Sequence, residues 1–145
     1  MAVYDDYNDL ERARLEKLEK LQAAGINPYP PRAERTHTAA EAIAAFVAAE
    51  QATPADPNGP TVTVVGRLRS IRTMGKLAFA HIEDGSGRIQ LFLRANDVGQ
   101  DVLKQFEDLY DLGDFVQASG ALTRTRTGEV SVIVTQLTIH SKSIS

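Results

Sequence analysis

The stretch RTMGKLAFAHIEDGSGRIQLFL, residues 72–93, decides the fold. From Leu77 to Asp84, Ala78, Ala80 and Ile82 share one phase, while Leu77, Phe79, His81 and Glu83 share the other. A period of two belongs to a strand, whose successive side chains point to opposite faces. Asp84-Gly85-Ser86-Gly87 is a hairpin signal, and Arg88–Arg94 resumes the alternation with Ile89, Leu91 and Leu93 on one side. The face that carries His81 and Glu83 is the wet one. Phe79 is therefore an aromatic ring displayed on a sheet surface, with Gln90, Phe92 and the flanking arginines of the next strand on the same side.

Outward from this hairpin the pattern continues in both directions. Upstream, Val62, Val64 and Leu68 alternate with polar neighbours, and Gly66 marks a bulge or sharp bend in that strand. Met74-Gly75-Lys76 is a turn. Downstream, Val98, Val102, Phe106 and Leu109 recur at helical spacing over Asp97–Tyr110, and Gly113 closes that helix. Phe115–Arg124 and Glu129–Ile139 are two more strands joined at Thr127-Gly128; Val130, Val132 and Val134 face inward, Glu129 and Ser131 outward. Three strands, a helix and two strands predict a mainly β fold: a five-stranded Greek-key barrel of the OB type with a helix between strands 3 and 4.

Helices precede the barrel. Asn8–Ala24 is rich in helix formers, with Leu10, Leu15, Leu18 and Leu21 near one side and Gly25 placed as a C-terminal cap before the Pro-rich INPYPP. Thr38 and Glu41 form a capping-box pattern ahead of Ala42–Glu50, with Ile43, Phe46 and Val47 on one face. TPADPNGP, residues 53–60, ends that helix. The expected organisation is an N-terminal helical extension with Pro-rich linkers over 1–61 and the barrel over 62–145.

The 145 residues carry a net charge of -3 and are 43% hydrophobic, a balance that excludes disorder along the whole chain and fits one ordinary domain. Without cysteine there is no disulfide, thiolate metal site or Cys nucleophile. His37, His81 and His140 are scattered without ligand spacing, and no group of residues recommends itself as an acid, base or nucleophile. Neither a cofactor nor an enzymatic activity of the chain by itself is expected. No apolar run reaches the roughly 20 residues of a membrane span, and the first residues lack the features of a signal peptide; a cytoplasmic setting is the expectation. The acidity is uneven: residues 1–61 hold 6 basic and 10 acidic side chains, residues 62–145 hold 10 and 9. A nearly neutral barrel has no strong positive field, so a nucleic-acid reader built on it must rely on stacking and base-edge contacts.

The outer face offers the groups for that. Phe79 is a stacking platform, Gln90 a donor and an acceptor for a base edge, and Glu129 a carboxylate that either accepts from a base or orients Arg72. Lys76 in the turn and Arg88 on the third strand add positive charge. The competing reading has Phe79 and Phe92 covered by the first two helices, Phe92 foremost, and Arg72, Arg124 and Arg126 tied up in solvated ion pairs. Two other readings stay open: a general single-strand binder using the same face, and a protein-interaction module dimerising through the N-terminal helices or the barrel edge.

Four strings, LEKLQAAGINPYP (from Leu18 to Pro30), RTMGKLAFAHIEDGSGRIQLFL, GDFVQASGALTRTRTGEVSV (from Gly113) and the closing LTIHSKS, together resemble the N-terminal anticodon-binding domain of class II lysyl-tRNA synthetases. The core strings are shared with the aspartyl- and asparaginyl-type enzymes; GINPYP and GRIQLFLR favour the lysyl family. The resemblance implies that the chain binds a tRNA anticodon stem-loop, with the middle uridine stacked on Phe79 and read by Gln90, and with Arg72 and Glu129 at the same site. It also implies that Arg12, Arg14, Lys17 and Lys20 on the first helix lie near the tRNA backbone. The family's catalytic domain, which holds its ATP and lysine site, follows a segment like LTIHSKS and is not contained in these residues.

Overall fold

The expected strands form and close on themselves. The computed structural model describes residues 9–23, 34–56 and 59–143. Along the chain run α1 (Asp9–Ala23), α2 (Ala39–Ala52), β1 (Thr61–Met74), β2 (Leu77–Asp84), β3 (Gly87–Arg94), α3 (Ala95–Val98), α4 (Gln100–Leu109), β4 (Phe115–Arg124) and β5 (Val130–Ser141). The Gly25 cap and the INPYPP linker lie outside the described residues. The strands form a closed barrel in the order β1-β2-β3-β5-β4, with β3 and β5 parallel and the other pairs antiparallel. This is the OB fold, and closure leaves the long strands without an open sheet edge.

The inward sets read from alternation fill the barrel: Ala78, Ala80, Ile82, Ile89, Leu91, Leu93, Val132 and Val134 are all fully buried. Between β3 and β4 the expected single helix is two, α3 and α4, broken at Gly99, whose φ of +94° is left-handed backbone that favours glycine. Phe106 on α4 is fully buried and meets Tyr110 at 5.2 Å between ring centroids. At the N-terminal end of α2 the capping box is present: Thr38 Oγ1 accepts from the Glu41 N–H at 3.1 Å and Glu41 Oε1 from the Thr38 N–H at 2.8 Å. The hairpin then docks on this helix end. Asp84 Oδ2 accepts from the Ala39 N–H at 2.8 Å and Ser86 Oγ from the Ala40 N–H at 3.0 Å, satisfying two of the donors that a helix start leaves orphaned. Phe46 of α2 belongs to the barrel's own core, together with Leu122 and Ile139. Neither helix covers Phe79 or Phe92: α2 packs chiefly on β3, β1, β4 and β5 through this core, and α1 on α4.

The bulge in β1 is not at Gly66. It falls between Leu68 and Ser70, while Gly66 is where the backbone of β2 comes close: a Cβ there would lie 2.7 Å from the Glu83 carbonyl oxygen. The difference matters, because strict alternation from the fully buried Leu68 puts Ser70 and Arg72 inside. The extra residue reverses the phase. Arg67 and Arg69 point outward before it, and after it Ile71 packs on the core while Ser70 and Arg72 turn out. The loop before β4 pins this kink, since the Leu68 N–H donates to the Asp114 carbonyl at 2.9 Å and the Gly113 N–H to the Leu68 carbonyl at 2.8 Å. That loop is held in turn by Lys142, whose fully buried ammonium donates to Asp114 Oδ2 at 2.6 Å, the Leu109 carbonyl at 2.7 Å and Asp111 Oδ2 at 3.0 Å.

Candidate nucleic-acid interface

Register turns the outward side chains into rows across the sheet. Arg72, Phe79, Phe92 and Ile133 stand opposite one another on β1, β2, β3 and β5, and the next row is Ser70, His81, Gln90 and Ser131. Direct cross-strand neighbours lie about 5 Å apart, so the first row forces its two rings together. Phe79 and Phe92 stack with centroids 4.8 Å apart and planes 12° from parallel. The Arg72 guanidinium sits 5.4 Å from the Phe79 centroid and that of Arg94 5.2 Å from the Phe92 centroid, both within cation–π range. Phe92 is thus half of a displayed ring pair rather than a residue covered by helices.

In the second row His81 is held at both ring nitrogens: Nδ1 lies 2.7 Å from Ser70 Oγ and Nε2 2.5 Å from Glu129 Oε1. The carboxylate is therefore positioned by His81 and not by Arg72. Its place comes from the β4–β5 hairpin, where Gly128 at φ +90° makes the turn and Arg124 donates to the Gly128 carbonyl at 2.8 Å. The same Arg124 forks onto Glu50 at 2.8 and 3.0 Å, and these hydrogen bonds hold the Glu50 carboxyl below its ordinary range. One of the solvated ion pairs expected of the arginines thus exists.

These rows and the hairpin enclose an open cleft of about 990 Å³, with more apolar than polar wall. Arg72, Phe79, Gln90 and Glu129 line it together, as do His81, Phe92, Arg94 and Arg126. Lys76 and Arg88 do not: Lys76 lies in the exposed turn beyond the first row, and Arg88 is paired with Glu83 at 2.8 Å, one row past Gln90. That hydrogen bond holds the Glu83 carboxyl low. Gln90 and Ser131, expected outside, are 5% and 0% exposed. Gln90 is the floor of the cleft, and among the described residues nothing hydrogen-bonds its side-chain amide. Arg72 has no carboxylate partner among those residues either. The role of His81 was not read from the sequence, although it stands two residues from Phe79 in the same phase and so shares its face. On α1, Lys17 is turned toward the protein rather than free for a distant partner, donating to Asp111 Oδ1 at 2.7 Å.

The family model of the OB-fold nucleic acid binding domain matches residues 62–139. The chain belongs to this family. It is similar to the lysine–tRNA ligase of Roseiflexus castenholzii, 50% identical over 141 residues, which is 97% of this chain and 28% of that protein. The lysine–tRNA ligase of Chloroflexus aurantiacus is 49% identical over the same shares, and that of a Dehalococcoides mccartyi strain 42% over 93% of this chain and 26% of the relative. The OB-fold chain spans a little over a quarter of the length of the relatives it matches. Among its described residues no helix is long and apolar enough to cross a membrane.

Proposed function

We propose that this chain recognises the anticodon stem-loop of a lysine-type tRNA, seating an unpaired uridine in the Phe79 cleft. The observation that carries the reading is Gln90. The residue is only 5% exposed, its side-chain amide opens onto the cleft, and among the described residues nothing hydrogen-bonds that amide. An unpaired uracil edge offers one N–H and two carbonyls, which the amide's acceptor and donor match. Phe79 supplies the platform, and here Arg72 moves. One face of Phe79 is taken by Phe92 and Arg72 also lies over the ring, so a stacking base must displace the guanidinium. A cation–π contact at an exposed site is worth roughly 0.5–1 kcal/mol and base stacking roughly 1–3 kcal/mol, so the exchange is favourable and frees Arg72 for a base carbonyl or phosphate. Glu129, oriented by His81, presents its other carboxylate oxygen to a base donor. The similarity to lysine–tRNA ligases supports the lysine-type anticodon as the target.

The test is anisotropy titration of a labelled stem-loop with a uridine-rich anticodon, beside one whose uridines are replaced by cytidine. Phe79→Ala is expected to weaken binding by about tenfold, and Gln90→Leu, which keeps the volume of the floor, to erase the preference for uridine. Wild-type binding by both variants overturns the reading. Sedimentation of the protein alone separates it from a dimerisation module, which predicts a constitutive dimer indifferent to RNA.

A further inference from the structure

The bulge in β1 borders a second cleft, of about 700 Å³, whose walls are mostly polar. Arg14 of α1 and Arg67 and Arg69 of β1 line it, with Gly113 and Ser143 at its edge and, among the described residues, no carboxylate in its lining. Its guanidiniums are poorly matched by acids. Arg14 donates to Ser143 Oγ at 3.0 Å, and its Nε is shut off from solvent without an acceptor. Among the described residues Arg67 donates to the Gly113 carbonyl alone, at 3.2 Å, and it lies over the Phe115 ring. Arg69 reaches Glu83 at 3.4 Å, a carboxylate already engaged by Arg88 at 2.8 Å. The nearby Lys142 ammonium is fully committed to Asp114, Asp111 and the Leu109 carbonyl. A partly desolvated guanidinium without a counter-charge is unfavourable, and this chain carries more acids than bases. Three arginines gathered around a cleft that no described carboxylate lines therefore ask for an anion.

We propose that this cleft is a phosphate site that takes the backbone of the RNA strand whose base occupies the Phe79 cleft; the identity of the strand rests on the function proposed above. The bulge makes the two sites neighbours. Arg69 faces one cleft and the adjacent Ser70 lines the other, and Arg72 follows about 10 Å further along the strand. The planar fork of arginine suits a phosphate oxyanion. A strand crossing the outer side of β1 meets Arg72 at the base and Arg69, Arg67 and Arg14 at its phosphates.

Two arms test the site. In the first, inorganic phosphate is titrated into the protein at constant ionic strength while backbone amides are followed by NMR. The Gly113 and Ser143 amides are expected to shift, the Gln90 side-chain amide to stay, and the response to vanish in Arg14→Gln/Arg69→Gln but persist in Arg14→Lys. No saturable shift in the folded wild type overturns the site. In the second arm the salt dependence of stem-loop binding is measured. Arg69→Gln, an exposed change that leaves packing alone, is expected to lower the slope of log K against log salt by about one phosphate, so that between 50 and 200 mM salt it loses about threefold less affinity than wild type. Phe79→Ala lowers affinity at an unchanged slope. If phosphate binds and Phe79→Ala weakens RNA while Arg69→Gln leaves the slope alone, the RNA backbone is refuted as the occupant. If phosphate binds and neither Phe79→Ala nor Gln90→Leu affects RNA, the anticodon reading falls while the anion site stands.

Discussion

Lys142→Met removes one fully buried ammonium, and the geometry sets what that costs. Asp114, also 0% exposed, is left with its charge and two backbone donors, the Ser143 N–H at 2.7 Å and the Asp111 N–H at 2.8 Å. Breaking a buried pair by deleting one partner costs about 3–5 kcal/mol, and two surviving donors put this case near the lower end, about 3 kcal/mol. Asp111 contributes little to the loss, being partly exposed and still paired with Lys17 at 2.7 Å. For a chain of this size about 3 kcal/mol lowers the melting temperature by roughly 10 °C. The second substitution is chosen to spare the backbone: Asp114→Asn added to Lys142→Met removes the stranded charge while keeping an acceptor for those N–H groups, and should recover more than half of the loss. Urea unfolding of wild type, single and double variants measures both. The single variant should also show faster amide exchange at Leu68, because Asp114 and Gly113 pin the β1 bulge. A single variant within 1 kcal/mol of wild type, or a double variant no more stable than the single, refutes the reasoning.

Gly120→Ala places a Cβ 1.8 Å from the Ile133 carbonyl oxygen and should cost more than about 3 kcal/mol, whereas Gly85→Ala, with open space around the new methyl, should stay within about 0.5 kcal/mol in the same urea assay. Stability should fall with acid in two stages. Burial holds His140 below the ordinary histidine range, so the unfolded chain takes up that proton first and stability declines as pH drops through that range. Burial pushes Asp111 up, but hydrogen bonds from Lys17 and Lys142 outweigh it and hold the carboxyl low, so its contribution is full above the ordinary carboxylate range and is lost as pH falls through and below it. Urea midpoints against pH should show both stages, and His140→Gln should remove only the first. Thr38→Ala opens the capping box of α2 and should cost about 1 kcal/mol, read from the urea midpoint.

Alternation and short turn and cap patterns are local properties: alternation determined every strand, the inward side chains of β2, β3 and β5 and the outward placement of Phe79, and the local patterns determined both hairpin turns and the capping box. It could not say what those outward groups meet. His81 and Glu129 are 48 residues apart, and Phe92 joins Phe79 rather than a helix because β2 and β3 are in that register. The depth of Gln90 depends equally on neighbours distant in sequence. Arg72 shows the limit most directly: its phase depends on one extra residue near Arg69, held by a loop more than forty residues away that a buried lysine near the end of the barrel keeps in place. The sequence by itself determined which side chains could form a reading surface, because the period of a strand is written residue by residue. The tertiary structure alone decided which of them form the cleft, because register, bulge and closure are set by pairings between segments that no local pattern encodes.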